Sequence, residues 1–129
     1  MGNSGLRKIF YPGDIVENKY NSLYDITVVD LDKKEVNLSQ YKNKVCLVVN
    51  VGSQNRDAPA ELQELKQLQQ HYGPLGFQVL AFPTNQFANE PGTYNQVKDC
   101  YAKRYETSFP VFAKVWRGIC QNEKWLICE

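Results

Sequence analysis

Apolar residues concentrate in two short runs, Val45-Cys46-Leu47-Val48-Val49-Asn50-Val51 and Phe77-Gln78-Val79-Leu80-Ala81-Phe82, with polar sequence on either side. Nearly continuous runs of this length predict strands covered on both faces. Between them the period changes. Leu62, Leu65 and Leu68 recur at helical spacing, Asp57 is placed to cap the start, Pro59 suits the first turn, and Gly73-Pro74 ends the segment. A strand, a crossover helix and a second strand predict a parallel pair with a right-handed connection.

The flanks are less regular. Tyr24, Ile26 and Val28 alternate with Asp25, Thr27 and Val29, which predicts a half-buried strand; residues 30–34 are turn-like, and 35–38 can return as the other arm of a hairpin. Residues 85–92 read as a loop. Thr93 and Gln96 form a capping box for a second helix whose apolar face carries Val97, Cys100, Tyr101 and Tyr105, ending at Phe109-Pro110. Residues 1–21 are a loose lead-in without periodicity. After Val111 only two short apolar groups remain, around 111–116 and 125–127, the second fitting either a helix or a strand. No repeat or low-complexity tract is present. A hairpin followed by β-α-β-α is the first half of an α/β, thioredoxin-like fold, which would continue with an antiparallel hairpin and a last helix.

Composition narrows the function classes. A chain of 129 residues is one domain's worth, and a net charge of +1 without a basic block argues against nucleic acid or an acidic membrane surface as partner. No apolar run approaches the roughly 20 residues of a membrane span. The first residues lack the apolar stretch of a signal peptide, and Leu6 stands where a myristoylation start wants Ser or Thr, so a cytoplasmic location is expected. The four cysteines, Cys46, Cys100, Cys120 and Cys128, have neither C-x-x-C nor zinc spacing, and His71 is the one histidine. A metal site or a Cys-His nucleophile pair is therefore not expected, nor any bound cofactor. Cys46 reads as a small core residue. Cys100, Cys120 and Cys128 are candidate redox thiols, with unpaired thiols as the simpler reading.

One group of motifs carries a family likeness. Val48-Val49-Asn50-Val51, Phe82-Pro83-Thr84-Asn85-Gln86-Phe87 and Glu90-Pro91-Gly92 occur together at separations that resemble the glutathione peroxidase family. The stretch from Asn50 to Phe87 lies on that pattern without a gap, and the likeness runs from about Ser22 to Lys114. Leu62-Gln63-Glu64-Leu65 and Val79-Leu80-Ala81-Phe82-Pro83 look most like the endoplasmic-reticulum-type members, which leaves a secretory compartment open. The resemblance implies the thioredoxin-like fold and an ancestral reduction of hydroperoxides by glutathione or thioredoxin.

At the positions that carry that chemistry in the family, this chain departs from the pattern. The family's peroxidatic selenocysteine or cysteine follows V-A-S-x; here Val51-Gly52-Ser53-Gln54 leads to Asn55. Peroxide reduction needs a thiolate or selenolate to attack one peroxide oxygen, and a carboxamide has no comparable lone pair. The family's supporting glutamine precedes E-P, where this chain has Asn89. Its W-N-F segment has no counterpart, since Trp116 is followed by Arg117 and Trp125 by Leu126. The resolving-cysteine position of thioredoxin-dependent members is Ala102, with Cys100 two residues earlier. The resemblance thus implies a catalytically deficient homologue. A weak thiol peroxidase or disulfide exchanger using Cys100 or a tail cysteine is the alternative. Asn55 is expected to serve the start of the helix, Asn85 and Gln86 to hold their loop, and Arg56 to be solvated.

The change of character after Val115 fits an altered reading frame, an alternative exon or an early stop joined to a family core of residues 22–114. If the usual C-terminal hairpin is missing, the strand at 45–51 is left with an open edge. Three outcomes are expected: the tail fills the slot, the chain self-associates or binds a protein partner there, or stability is poor.

Overall fold

The computed structural model describes residues 22–85 and 90–114, and the backbone of Trp125–Cys128. The lead-in 1–21, and Gln86, Asn89, Trp116 and Cys120 among the residues singled out above, lie outside the described residues.

Three strands form the central sheet, with residues 45–51 in the middle, 77–83 on one side and 125–128 on the other. β3 is Val45–Val51 and β4 is Phe77–Pro83, parallel and in register from Val45 opposite Phe77 to Val51 opposite Pro83. β5, Trp125–Cys128, lies antiparallel on the other side of β3, with Cys46 opposite Cys128 and Val49 opposite Trp125. The tail therefore occupies the slot beside β3, and the expected open edge does not exist there. A second small sheet is the predicted hairpin, β1 Thr27–Val29 against β2 Glu35–Asn37. It starts later than the alternation suggested. Residues Leu23–Asp25 form a 3₁₀ turn, because the Ser22 side chain accepts the Tyr24 N–H.

The two long strands are buried on both faces, as their composition predicts. Cys46, Val48, Leu80 and Phe82 face a cluster completed by Leu23, Leu38 and Phe112, with the Phe82 and Phe112 rings stacked at 4.8 Å. Leu47, Val49, Val51, Val79 and Ala81 face the opposite cluster, built on Leu62, Leu65, Val97, Tyr101 and Phe109. The second cluster includes residues of the helices α1, Ala58–Tyr72, and α2, Tyr94–Asp99.

α1 begins at Pro59's first turn and ends at Gly73, followed by a 3₁₀ turn Gly73–Leu75 and by Gly76 in the left-handed region at φ 90°. Asp57 does not cap it as predicted: its φ of −90° and ψ of 1° are not the extended backbone a capping side chain needs. α2 has the predicted capping box between Thr93 and Gln96. It then widens into a π turn, Cys100–Arg104, closed by the Tyr105 N–H on the Cys100 carbonyl.

The outer edge of β4 is closed by side chain and loop. Gln69 of α1 accepts the Val79 N–H at 2.8 Å and donates to the Phe77 carbonyl at 3.3 Å. Further along, the Ala81 N–H donates to Pro110 and the Phe112 N–H donates to Ala81. These bonds occupy groups that an incoming strand would use. The hairpin is tied to α2, since the Tyr94 hydroxyl donates to the Asp30 carbonyl at 2.6 Å and Lys98 pairs with Asp32. No helix among the described residues is long and apolar enough to cross a membrane.

Candidate active site

The parallel strands β3 and β4 deliver their C-terminal ends to one place, linked by the Thr84 N–H donating to the Val51 carbonyl at 3.0 Å. In open α/β sheets this end of the strands is where ligands bind. From β3 the chain passes through Gly52, Ser53, Gln54, Asn55, Arg56 and Asp57 into α1. Asn55 shapes that passage. Its N–H donates to the Gly52 carbonyl, its own carbonyl accepts the Ala58 N–H, and its side-chain Oδ1 accepts the Asp57 N–H at 3.1 Å. This is the Asx turn that short amides form ahead of helices, and it supplies the local order that Asp57 was expected to give. The side chain of Arg56 is 94% exposed and meets Asp57 only at 3.9 Å, so it is solvated.

Beneath this loop lies a polar knot that the sequence reading missed. Glu90 is wholly buried. Its carboxylate accepts the Ser53 N–H at 2.8 Å, the Ser53 hydroxyl, and the Tyr101 hydroxyl at 2.7 Å. An ionised carboxylate only accepts, so three converging donors suit it and offset the cost of taking it out of water. The backbone of the same residue is held as well: its N–H donates to Asn85 Oδ1 at 3.0 Å, and its carbonyl accepts from Lys114 Nζ at 3.1 Å. Lys114 also donates to the Gly92 carbonyl. Tyr105 closes the arrangement by donating its hydroxyl to the Ser53 carbonyl at 2.9 Å. Burial pushes the Tyr101 phenol far above the usual tyrosine range, and the Glu90 carboxylate adds to the shift. Burial raises Tyr105 as well. The one signal available in the sequence was an acid inside the Glu90-Pro91-Gly92 phrase, just ahead of the Thr93 cap.

A cleft of about 400 Å³ opens beside the knot, lined by Ser53, Gln54, Glu90, Pro91, Gly92, Gln96 and Val97. Neither Asn55 nor Cys100 is among these described lining residues. Cys100 is a free thiol, half-buried at the first residue of the π turn and not in the core as its helical face suggested. Cys46 is the predicted core residue. Its thiol donates to the Tyr41 and Lys44 carbonyls at 3.7 Å, and burial raises its pKa. Asn85 holds its loop as expected, and His71 sits exposed in the last turn of α1. Asn89 and Cys120 lie outside the described residues, and Cys128 is described as backbone alone.

The profile of the family described as glutathione peroxidase matches residues 23–124. Among curated proteins, the chain is 46% identical over 95 residues to the probable phospholipid hydroperoxide glutathione peroxidase 6, mitochondrial, of Arabidopsis thaliana, covering 73% of this chain and 41% of that one. The chain spans about half the length of the curated relatives it matches, from 40% to 57%. The crystal structure of Trgpx in apo form is similar with a TM-score of 0.53 and 32% identity, over 73% of this chain and 54% of that chain. A thiol:disulfide interchange protein of the thioredoxin family from Chlorobium tepidum gives 0.57 at 19% identity, over 70% and 57%, which shows the fold alone.

Proposed function

Because this chain belongs to the glutathione peroxidase family, we propose that it keeps the family's fold and substrate-facing end without the family's peroxide chemistry. The observation that carries this reading is Asn55. It stands at the start of α1, where the family resemblance puts the sulfur or selenium, and its side-chain oxygen is engaged by the Asp57 N–H. A neutral amide in an Asx turn has no electron pair that can displace an alkoxide from an O–O bond. Binding can lower a barrier for a reaction that has a nucleophile; it cannot supply the nucleophile. Ancestry in hydroperoxide reduction, with glutathione or thioredoxin as reductant and no bound cofactor, belongs to the same reading. So does a role as a binding protein in a cytoplasmic setting.

The test is hydroperoxide consumption coupled to glutathione or to thioredoxin, before and after alkylation of all four cysteines. The expected result is background turnover in both states. Turnover that survives alkylation would end the argument from the missing nucleophile. Turnover that alkylation abolishes would favour the competing enzyme, for which Cys100, free and half-buried, is the described candidate.

A further inference from the structure

The tail strand β5 meets β3 in a register that sets two of the four cysteines opposite each other, Cys46 in β3 and Cys128 in β5. In an antiparallel pair, residues directly opposite share a face of the sheet. Their Cα atoms are about 4.5–5.5 Å apart, inside the roughly 4.4–6.8 Å span over which disulfides form. From this juxtaposition we propose that Cys46 and Cys128 are a redox pair whose disulfide pins the C-terminal strand to the central sheet. This does not rest on the reading of Asn55 above.

The two positions divide the chemistry. Cys46 is 0% exposed and its thiol is occupied by the Tyr41 and Lys44 carbonyls. Burial raises its pKa, which makes it the poorer first attacker. With Cys46 the poorer attacker, the exchange opens at Cys128 with a low-molecular-weight disulfide. The Cys128 thiolate attacks one sulfur of that disulfide and expels one small thiolate, leaving a mixed disulfide. Cys46 then gives up its proton, attacks the Cys128 sulfur and displaces the second small thiol. Two protein thiols are oxidised to one disulfide, and one small disulfide is reduced to two thiols. β5 has four residues and pairs with β3 alone among the described strands, so without this link little backbone pairing holds it. The bond would also close a long loop, where a cross-link restricts the unfolded chain most.

The experiment equilibrates the complete chain in glutathione–glutathione disulfide buffers, quenches with acid, alkylates under denaturing conditions and maps the tryptic peptides. The expected product joins the peptide of residues 45–56 to that of 125–129, lighter by two hydrogens, and dithiothreitol separates them. It persists in the Cys100→Ser, Cys120→Ser double variant and is lost in Cys128→Ser. On oxidation, amide hydrogen exchange across Val45–Val51 should slow about tenfold. Linked peptides containing Cys100 or Cys120 in place of Cys46 would overturn the pairing. So would Cys46 and Cys128 both remaining alkylatable in buffers that consume Cys100. A correct link without slowed exchange would overturn the pinning.

Discussion

The Tyr101 hydroxyl donates to the Glu90 carboxylate at 2.7 Å, in a place where neither group reaches water. The pair joins the first turn after α2 to the loop after β4, and Ser53 carries the same carboxylate to the end of β3. Tyr101→Phe removes one donor of three and keeps the ring. Leaving a buried acceptor under-satisfied costs about 1–3 kcal/mol. Urea unfolding should show that loss as a lower midpoint with an unchanged slope; an unchanged midpoint would mean that the knot is dispensable.

Alkaline pH probes the same pair with a definite sign. The folded protein holds the Tyr101 proton well above the value of about 10 at which an unfolded tyrosine loses it. Below that value the contribution is complete. Above it the unfolded chain binds fewer protons than the folded one, so stability falls as pH rises. Tyr41 and Tyr105 shift in the same direction and add to the slope. Denaturant midpoints measured between about pH 8 and 11 should turn downward near 10, and Tyr101→Phe should make the descent shallower. A midpoint indifferent to pH in that range would contradict the burial of this phenol.

Asn55→Cys places a thiol close ahead of α1, where the helix N-terminus favours the thiolate. The expected outcome is alkylation at neutral pH about tenfold faster than at Cys100, followed by sulfenic acid formation with hydroperoxide. Stopped alkylation with peptide mapping reads both. A new thiol no faster than Cys100 would show that this end of β3 has lost more than its nucleophile.

Gln69 closes part of the β4 edge, and Gly73 gives it room: a Cβ added at Gly73 would sit 2.8 Å from Gln69 Nε2. Gln69→Ala should lower stability by about 1–3 kcal/mol, because the Val79 N–H loses its partner. It should also raise the tendency to aggregate, since a freed edge pairs with other chains. Gly73→Ala should shift the same way by less, since a flexible amide can swing aside. Unfolding midpoints and light scattering on the two variants test both; an inverted order would put the strain in the turn and not in the amide.

Much of this fold was legible because its causes are local. The runs at 45–51 and 77–82 became β3 and β4, Leu62 and Leu65 face the sheet, and the Thr93–Gln96 box formed as read. The Asp57 cap failed because the amide of Asn55 orders the same turn two residues earlier. The site itself was half visible. Asn55 could be found from a motif, whereas the knot joins Ser53, Glu90 and Tyr101 from three elements, and no spacing in one segment announces such a meeting. The partner of β3 was legible only as one of several outcomes, because the short apolar group at 125–127 fits a helix or a strand until the sheet beside it exists.

The π turn Cys100–Arg104 fixes more than its length suggests. It holds one residue beyond an ordinary helical turn, and Tyr105, which follows it, reaches across to the Ser53 carbonyl. Deleting one residue after Tyr101 would return the turn to ordinary winding and shorten the offset between Tyr101 and Tyr105 from four residues to three. Tyr105 would then swing away from Ser53 while Tyr101, upstream, kept its place. The floor beneath the β3 terminus thus depends on a count of residues as much as on their chemistry, and a one-codon deletion among residues 102–104 would reach the site without altering any side chain that touches Glu90.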